Sequence, residues 1–576
     1  MSKIDELVRD GLAQHQAGRR DAARALYTKA LSRQPSHPAA NHLLGLLLLQ
    51  QGEADAAVRH LQRAVRGHRS AEYLGNLGTA LNAAGRQAEA IEAFDAALAL
   101  QPKSPGILNN RGMALKALGR HDEAIASYRQ AISLAPGDAA FQRNLGNALA
   151  AVGFLHEAVE LFRASLRLAP HSDNAALGLC NALLLLGQAE AARSEVSALA
   201  QRLPTHAGLQ RAAAHAARST GDIAGAAACY RRAIAADPRD VEAHRLLGLL
   251  VHRTDPADPE ILALRRLAEQ PGLSSREQAQ LGFALGQASQ DLGHDEEAFA
   301  WFSRANALVH AMRPHDAEAS RRRVGAIMQS FAECSDETLP PLASPGPVFI
   351  VGLPRSGKST LETMLARHPQ LRAGGELGLF RSLAGALSGD APVGEALPVP
   401  AARALAARWN DVADRLFAGR RYIDTTPSNL ELVGLLRQAL PSARVLVCRR
   451  PPREHAAALF AKYFAQGGNE ATSTLPDILQ ALADATALGA FWQRRFPGFV
   501  RVIDTGGLSD ETTPIDDILG FLELPLHAPC RLPAETEPRL GSASATENGP
   551  PLRLLGEIDR LLPAGSAEPS PAVHRG

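Results

Sequence analysis

Apolar residues in the first 240 positions recur with helical spacing, and the whole pattern repeats about every 34 residues. In each unit a Gly is followed by a second Gly, then by an Ala, an aromatic residue or Leu, and a small residue. The three clearest units span residues 78–102, 112–136 and 146–170. Small residues let two helices approach closely while the larger side chain fills the space between them. The pattern therefore predicts a tandem array of helix pairs.

The period and the order of small and aromatic residues match tetratricopeptide repeats. Seven full repeats are predicted over about residues 4–240, and an eighth that begins at Gly248 loses the pattern in segment 255–272. A last unit returns at residues 286–305. We therefore predict an all-α superhelix over residues 1–312, regular to about residue 240 and degenerate over 241–312.

An Asn stands two positions before the first Gly in three consecutive repeats, as Asn76, Asn110 and Asn144. This ladder resembles the inner groove of the protein O-GlcNAc transferase repeats, in which amides bind an extended peptide backbone. Because an amide has two donors and an acceptor, the resemblance implies a protein or peptide partner bound without side-chain selectivity. Alternatively, each Asn hydrogen-bonds only its own or the neighbouring helix. Both interpretations are open.

From residue 348 onward, short β-branched runs alternate with helical stretches, which is typical of a parallel α/β sheet. Strands are predicted at 348–352, 421–424, 443–448 and 499–504, and helices near 358–367, 377–387, 399–417, 428–439, 452–465, 475–496 and 514–523. The predicted fold is thus multidomain, with an α-solenoid followed by an α/β three-layer sandwich of the phosphate-loop type. A helix and Pro-rich linker occupy 313–346, the α/β domain 347–562, and a disordered tail 563–576.

Composition narrows the classes of function. The chain has 576 residues, enough for two or more domains, and its net charge of +1 argues against a dedicated nucleic-acid-binding protein. Its five cysteines lack C-x-x-C spacing, so neither a disulfide framework nor a metal site is predicted. The N-terminus is polar, and no apolar run approaches the roughly 18 residues that a membrane span needs. We therefore expect a cytoplasmic protein.

The main candidate for chemistry lies where the first predicted strand ends, in the stretch Gly352-Leu353-Pro354-Arg355-Ser356-Gly357-Lys358-Ser359-Thr360. A strand, a Gly-bearing loop and a helix N-terminus direct N–H groups toward an anion, and Arg355 and Lys358 add positive charge. The same stretch satisfies the G-x-x-x-x-G-K-[ST] pattern of nucleotide triphosphatases. It also resembles the 5′-phosphosulfate loop of sulfotransferases, so the loop alone allows two interpretations.

Three downstream segments resemble the bacterial tetratricopeptide-sulfotransferases, which are relatives of tyrosylprotein sulfotransferase. They are 374–377, with Glu376 after a double Gly, 422–429, and 441–453, which includes Arg449 and Arg450. The region 283–307 is also similar, so the resemblance covers nearly the whole chain. It implies a sulfotransferase that uses 3′-phosphoadenosine 5′-phosphosulfate (PAPS) as the sulfuryl donor and needs no metal.

Carried over by position, the resemblance implies a role for each motif residue. The 5′-phosphosulfate would be held by Arg355 and the main chain of the loop, which continues through Ser356, Gly357, Lys358, Ser359 and Thr360. Arg450 would bind the 3′-phosphate with Arg449 beside it, and Glu376 would be the general base for the acceptor hydroxyl. Two positions depart from the family: Thr425 replaces a lysine whose charge Lys358 would supply, and Ala458 replaces a serine donor.

Two other functions are open from sequence. A kinase or triphosphatase needs an acidic residue after a neighbouring strand, and Asp424 and Asp504 both end strand-like runs. A repeat scaffold without catalysis is the other alternative. We expect sulfuryl transfer to a hydroxyl acceptor, with a protein or peptide as the leading acceptor class. His455 and Cys448 are predicted to be structural.

Overall fold

The structure is a computed structural model, described here for residues 2–332, 345–388, 394–417, 419–464, 468–506, 515–531 and 550–562. Most of the Pro-rich part of the predicted linker and the predicted tail at 563–576 lie outside the described residues. The described chain divides into two compact units, Met1–Ala182 and Leu183–Gly576. The predicted domain boundaries remain predictions.

Nineteen α-helices precede the first strand in the described part of the chain. They are α1 Lys3–Gln16, α2 Arg20–Arg33, α3 Pro38–Gln50, α4 Ala54–Gly67, α5 Ala71–Ala83, α6 Gln87–Leu100, α7 Pro105–Ala117, α8 His121–Leu134, α9 Ala139–Ala151, α10 Leu155–Leu168, α11 Asp173–Leu185, α12 Ala189–Arg202, α13 Ala207–Ser219, α14 Ile223–Ala236, α15 Val241–Gly248, α16 Pro259–Ala268, α17 Ser275–Asp291, α18 Asp295–Met312 and α19 Ala317–Ala332. Short turns join α1 to α14, and the turn within each pair contains a Gly with a positive φ, such as Gly85 and Gly119.

Close contact between a small and a large residue joins the two helices of each pair in the first unit. A Cβ added to the Gly of the first helix would lie between 2.6 and 3.1 Å from the large side chain of the second helix. The five pairs are Gly11 with Tyr27, Gly45 with Leu61, Gly78 with Phe94, Gly112 with Tyr128, and Gly146 with Phe162. The repeating residues thus determine the distance between the paired helices, because no larger side chain fits at these glycines.

The last helix pair before the α/β domain, α17 and α18, belongs to the second unit and shares a core with that domain. Its Phe283 and Phe302 lie in one hydrophobic cluster with Phe460, Tyr463 and other side chains from later in the chain. The Asn306 side chain also donates a hydrogen bond to the Phe460 carbonyl, at 2.8 Å. The degenerate repeats in this unit therefore contribute to the structure of the α/β domain.

The α/β domain contains a five-stranded sheet in which every neighbouring pair is parallel. Its strands are β1 Val348–Val351, β2 Arg372–Ala373, β3 Tyr422–Asp424, β4 Arg444–Arg449 and β5 Val500–Asp504, in the order β2-β3-β1-β4-β5. All four residues of β1 are buried because it is the central strand. The carboxyl ends of β1 and β4 therefore lie side by side.

Helices cover both faces of this sheet. The α-helices are α20 Lys358–Leu365, α21 Leu379–Ser388, α22 Val399–Phe417, α23 Val433–Ala439, α24 Pro452–Phe460, α25 Leu475–Arg495, α26 Ile515–Phe521 and α27 Leu552–Leu561, with 3₁₀ turns at Pro427–Leu432, Glu470–Thr472 and Ala528–Arg531. Ile350 packs in a cluster with Leu361 of α20 and Ile518 of α26. Phe349 points to the other face, where its ring lies 6.0 Å from Trp409 of α22. The predicted fold class is confirmed.

Several elements differ from the sequence-based expectation. Strand β2 has two residues, too few for an alternating pattern, and it forms only because its backbone pairs with Tyr422 and Ile423. The helix predicted at 452–465 ends at Phe460. The following residues leave the helix, and the Tyr463 ring lies 5.6 Å from Phe283. Tertiary packing thus overrides the helical pattern at this point.

Gly112→Ala and Gly106→Ala, both in α7, test the contact between paired helices. A Cβ at Gly112 would lie 2.7 Å from the Tyr128 ring, whereas a Cβ at Gly106 meets no atom within 4 Å. We expect Gly112→Ala to destabilise the repeats by about 1–3 kcal/mol through overpacking. Gly106→Ala is expected to be neutral or to stabilise by up to about 1 kcal/mol, since Ala favours helix. Urea unfolding followed by circular dichroism measures both, and equal midpoints would contradict the packing account.

Candidate functional site

The loop between β1 and α20 turns through three left-handed backbone positions: Gly352 (φ 140°), Arg355 (φ 66°) and Gly357 (φ 86°). A Cβ at Gly352 would lie 2.6 Å from the Cys448 carbonyl oxygen, and one at Gly357 would lie 2.7 Å from the Thr505 Cβ. Glycine is therefore required at both positions. Arg355 adopts the same region with a full side chain, which is a strained conformation of the kind that recurs at functional sites.

Two side chains from neighbouring elements hold this loop in place. The Thr505 hydroxyl, directly after β5, lies 2.7 Å from the Ser356 carbonyl and 2.9 Å from the Arg449 carbonyl. The His455 Nε2 lies 2.7 Å from the Pro354 carbonyl. Burial lowers the pKa of His455 to about 4, although the bond to Pro354 opposes the shift. The imidazole is therefore neutral at pH 7, and its Nε2–H donates to the loop.

Several hydrogen-bond donors of the loop and of the first turn of α20 are not used by the backbone hydrogen bonds of the helix. The first intrahelical bond runs from the Leu361 N–H to the Gly357 carbonyl, so the N–H groups of Lys358, Ser359 and Thr360 precede it. The Ser356 Oγ is buried and has no hydrogen-bond partner among the described residues. A buried unpaired hydroxyl costs about 1–3 kcal/mol, which an anion bound at this point would offset.

The structure brings three of the predicted cations together around this loop. Lys358 is buried and its Nζ donates to the Leu353 carbonyl at 3.0 Å. Burial lowers the pKa of Arg355, and the charge of Arg450 lowers it further. The charges of Arg450, Lys358 and Arg355 all contribute to the lowered pKa of His455, so the three cations lie in one neighbourhood around the loop.

Arg449 and Arg450 follow the same strand but have different partners. Arg449 lies across from β5 and pairs with Asp504 at 3.5 Å, where both side chains are exposed. Arg450 pairs with Glu454 in the first turn of α24 at 3.2 Å. The structure thus associates Arg450 with the Arg355 loop and places Arg449 in a surface ion pair.

The predicted base, Glu376, is exposed and lies in the segment between β2 and α21. Burial lowers the pKa of Lys358, and the negative charge of Glu376 opposes this effect. Two further carboxyls lie behind it. Glu362 of α20 accepts a hydrogen bond from the Gly375 N–H at 2.8 Å. Burial is the main cause that raises the pKa of Glu362 to about 7, and the charges of Asp424 and Glu376 contribute to this rise. The sequence analysis missed Glu362; its one signal is its place one helical turn after Lys358.

Asp424 is completely buried at the end of β3. Burial raises its pKa to about 6, while hydrogen bonds to its carboxylate oppose the shift. The Thr426 N–H donates to it at 2.8 Å and the Asn429 amide at 3.4 Å. This carboxyl therefore supports the turn that follows β3.

Each Asn of the predicted ladder is half-buried and bonds to a side chain of the preceding repeat. The Asn76 amide lies 2.8 Å from the His42 Nε2, Asn110 donates to Thr79 at 3.3 Å, and Asn144 donates to Asn109 at 2.8 Å. These contacts are those of the alternative in which Asn bonds the neighbouring helix. A role of the ladder in binding a peptide remains a prediction.

Within the described ranges, no set of three or more His, Cys, Asp or Glu side chains is arranged to hold a metal ion. None of the described helices combines the length and the apolar character that a membrane crossing requires. Four cysteines in the described chain are buried and unpaired: Cys180, Cys229, Cys448 and Cys530. Burial raises the pKa of Cys448 to about 12, so its thiol stays protonated under the loop.

The fold and the loop together define a class: helical repeats followed by a parallel α/β domain with an anion-binding loop after its central strand. Comparison with known families agrees with this class. Residues 347–527 match the Sulfotransferase family, and tetratricopeptide-repeat families match residues 10–72, 42–105, 93–126, 112–153, 143–207 and 214–262. The chain therefore contains a sulfotransferase-family domain preceded by tetratricopeptide repeats, and the predicted combination is confirmed.

An uncharacterised protein of Aquifex aeolicus (strain VF5) is 25% identical over 342 residues, which are 56% of this chain and 44% of that protein. The match thus spans less than half of that relative's length. Among solved structures, the MamA protein is 28% identical, with a TM-score of 0.27 over 29% of this chain and 93% of its own. A tetratricopeptide-repeat protein of Thermus thermophilus is 25% identical, with a TM-score of 0.27 over 31% and 99%. Likeness at this level identifies no function.

The raised pKa of Glu362 predicts a pH-dependent stability. Its pKa rises from about 4.3 in the unfolded chain to about 7 in the folded one, so its contribution is fully present below about pH 4.3 and is lost as the pH rises through about 7. Glu362→Gln keeps an acceptor for Gly375 but cannot ionise. We expect the variant to gain up to about 3 kcal/mol relative to the wild type between pH 4.5 and 8. Urea midpoints measured across this range test it, and parallel pH profiles would contradict it.

Proposed function

We propose that the α/β domain is a PAPS-dependent sulfotransferase that transfers a sulfuryl group to a hydroxyl acceptor. One observation carries the proposal: the loop after β1 turns through three left-handed positions and holds a buried Ser356 hydroxyl that has no hydrogen-bond partner among the described residues, next to the buried Lys358. This loop lies inside the region that matches the Sulfotransferase family, whose members generally use PAPS. Clustered cations at the carboxyl edge of a parallel sheet suit a ligand with more than one anionic group.

The groups present fit such a donor. The buried Ser356 hydroxyl and the N–H groups at the start of α20 are hydrogen-bond donors of the same loop. Two glycines lie next to these donors, and neighbouring residues occupy the space that a side chain would need at each of them. A 5′-phosphosulfate would accept these hydrogen bonds at the positive end of the helix dipole. When bound, PAPS supplies a sulfuryl group on a phosphate leaving group. Arg450, on the adjacent strand end, is the proposed ligand of the 3′-phosphate, with Arg449 as its neighbour.

Each residue of the site then has a proposed role in the transfer. Glu376 takes the proton of the acceptor hydroxyl at its carboxylate, which matters most for a phenol, whose pKa is about 10. Arg355 stabilises the negative charge that develops on the leaving phosphate. Lys358 adds a second positive charge from within the loop. His455 positions the loop through Pro354 without exchanging a proton, since it is neutral at pH 7.

The two departures from the family pattern lie on different elements, after β3 and on α24. Thr425 is buried and its N–H donates to the Gly375 carbonyl at 2.9 Å, so this position supports the double Gly before Glu376. It carries no charge, and Lys358 is the proposed substitute for the lysine of the family. Ala458 lies on α24, two turns after Arg450, and removes one hydroxyl donor there.

A nucleotide kinase or triphosphatase is the alternative for the same loop, because the Lys358-Ser359 pair matches that pattern. Such an enzyme needs a carboxylate free to hold Mg²⁺ beside the phosphates. Asp424 is committed to the Thr426 and Asn429 donors. Asp504 pairs with Arg449 and accepts the Gly506 N–H at 3.0 Å. These contacts favour a donor that needs no metal.

The acceptor is proposed to be a hydroxyl on a protein or peptide. The support is the repeat region, since tetratricopeptide repeats are protein-binding modules and a stack of them forms an extended binding surface.

Isothermal titration with the desulfonated nucleotide, 3′-phosphoadenosine 5′-phosphate, tests the donor site. We expect binding without Mg²⁺ and a loss of about 10- to 100-fold in affinity for Arg450→Ala, because a charge-assisted hydrogen bond is removed. Arg453→Ala is the matched control. Arg453 lies three residues away and pairs with Asp559 at 2.7 Å, so its loss is expected to leave affinity unchanged.

The same titration with Mg-ATP separates the alternatives. Binding of Mg-ATP but not of the desulfonated nucleotide would refute the proposal in favour of a kinase or triphosphatase. Binding of neither would indicate a scaffold.

Glu376→Gln tests the proposed base. With PAPS and a tyrosine-containing peptide as probe, we expect kcat to fall by about 10²–10⁴-fold, because the proton acceptor is lost while the shape is kept. Affinity for the desulfonated nucleotide should not change. Glu557→Gln, which removes a carboxylate that pairs with Arg560 on α27 at 2.7 Å, is the control for general loss of charge. Unchanged sulfate transfer by the Glu376 variant would exclude this residue as the base.

A further inference from the structure

A group of cations lies beside the Arg355 loop and has no role in the proposed donor site. The Nε atoms of Arg218 and Arg245 and the hydroxyl of Tyr463 are all buried, and none of the three has a hydrogen-bond partner in the described parts of the chain. Arg218 is near the end of α13, Arg245 is on α15, and Tyr463 follows α24. The Arg245 guanidinium lies over the Tyr463 ring, with its Cζ 5.3 Å from the ring centroid. Thus α15 of the degenerate repeats contacts the α/β domain here, and Arg218 of α13, in the last regular repeat, is close enough for its charge to act on Arg245 and Lys462.

Lys462, next to Tyr463, belongs to the same group. Burial, together with the charges of Arg355, Arg245 and Arg218, lowers the pKa of Lys462 to about 8. Burial lowers the pKa of Arg245 as well, and the charge of Arg218 adds to this effect. Arg218, Arg245 and Lys462, called here the repeat-side cations, therefore form one positive region that extends to Arg355 of the loop.

Within the described ranges, the acidic side chains that act on this region are engaged elsewhere. Glu242 acts on Arg245, but it is bound by Arg211. Glu470 lines a small cavity with Lys462 and accepts the Gly468 N–H at 2.8 Å. Tyr230 also faces Arg218 and Arg245, and burial raises the pKa of its phenol, so it stays neutral.

Half-buried like charges without counter-charges destabilise a folded protein, unless an anion compensates them. The two unpaired guanidinium Nε–H groups and the Tyr463 hydroxyl are donors suited to an oxyanion. A carboxylate, sulfate or phosphate group between them would satisfy these donors and remove the repulsion at the same time. The Arg355 end of the region would meanwhile remain with the donor nucleotide.

We propose that Arg218, Arg245 and Lys462, with the Tyr463 hydroxyl, form a second anion-binding site that takes an oxyanion group beside the donor loop. Only the role of this site rests on the proposed function. That role is to bind either an anionic group of the acceptor or a free sulfate or phosphate ion. Its ligand chemistry follows from the three cations themselves. It also gives the repeat region a part in the site, since two of its three cations come from α13 and α15.

The first experiment measures the melting temperature of the full chain during titration with sodium sulfate, at constant ionic strength maintained with chloride. A saturating concentration of the desulfonated nucleotide fills the donor site. We expect sulfate to raise the melting temperature of the wild type, and Lys462→Met and Arg245→Gln to lose at least about three quarters of this shift. Arg265→Gln, which removes an exposed arginine paired with Glu297 at 2.7 Å, should keep the full shift.

The melting temperature of Lys462→Met without sulfate provides a second readout, because a merely structural role of Lys462 would predict a decrease. In chloride alone, Lys462→Met removes like-charge repulsion, so its melting temperature should equal or exceed that of the wild type. A sulfate response that is absent, or that persists in both variants, would overturn the second site. If the nucleotide itself fails to bind, the sulfate titration is repeated with Arg450→Ala. A sulfate shift that Arg450→Ala retains and Lys462→Met loses supports the second site, although the proposed function has failed.

Two small acceptors distinguish the sources of the anion once transfer is established. N-acetyltyrosine carries a carboxylate near its hydroxyl, and N-acetyltyrosinamide does not. If the site binds an acceptor group, the KM of the first is expected to be at least about tenfold lower, and Lys462→Met should remove the difference. If the site binds a free ion, both acceptors should have the same KM and respond equally to sulfate.

Discussion

The contact between the loop after β1 and the two strands beside it is the constraint on which the rest of the α/β domain depends. The Cys448 carbonyl fills the place of a side chain at Gly352, and Thr505 does the same at Gly357. The loop can therefore follow only the left-handed path that places Arg355 in a strained conformation and directs the start of α20 toward one point. Strand order matters here because β4 lies directly beside β1, so Arg450, which follows β4, lies near the same loop.

Burial sets the electrostatic character of this region. Burial lowers the pKa values of Lys358 and Arg355, and it keeps His455 neutral at pH 7. On the other side, Glu362 and Asp424 have raised pKa values behind the exposed Glu376. Cations with lowered pKa values and carboxyls with raised pKa values thus lie in one neighbourhood, which is typical of functional sites.

Much of this was predictable because the signals are local. The repeat period, the glycines and the aromatic residues predicted the helix pairs, and the order of Gly352, Arg355 and Gly357 predicted the anion loop. Strand β2 was missed because two residues carry no pattern. Glu362 was missed because a polar residue on a short helix has the same appearance whether it faces water or, as here, the Gly375 N–H. For the Asn ladder, the sequence left two interpretations open, and the structure adds the contacts to the preceding repeats.

Residue types and their spacing were thus sufficient to predict the two classes of structure and the phosphate-type loop, because each depends on residues within a few turns of one another. The role of Glu376 as the base stays a prediction. The tertiary structure alone decided which charges meet. Arg218 and Lys462 are far apart in the chain, and their charges interact only because helices of the repeat region lie close to the residues that follow α24. Burial and long-range proximity determine pKa values and unpaired donors, and neither property can be read from the neighbours of a residue in the sequence.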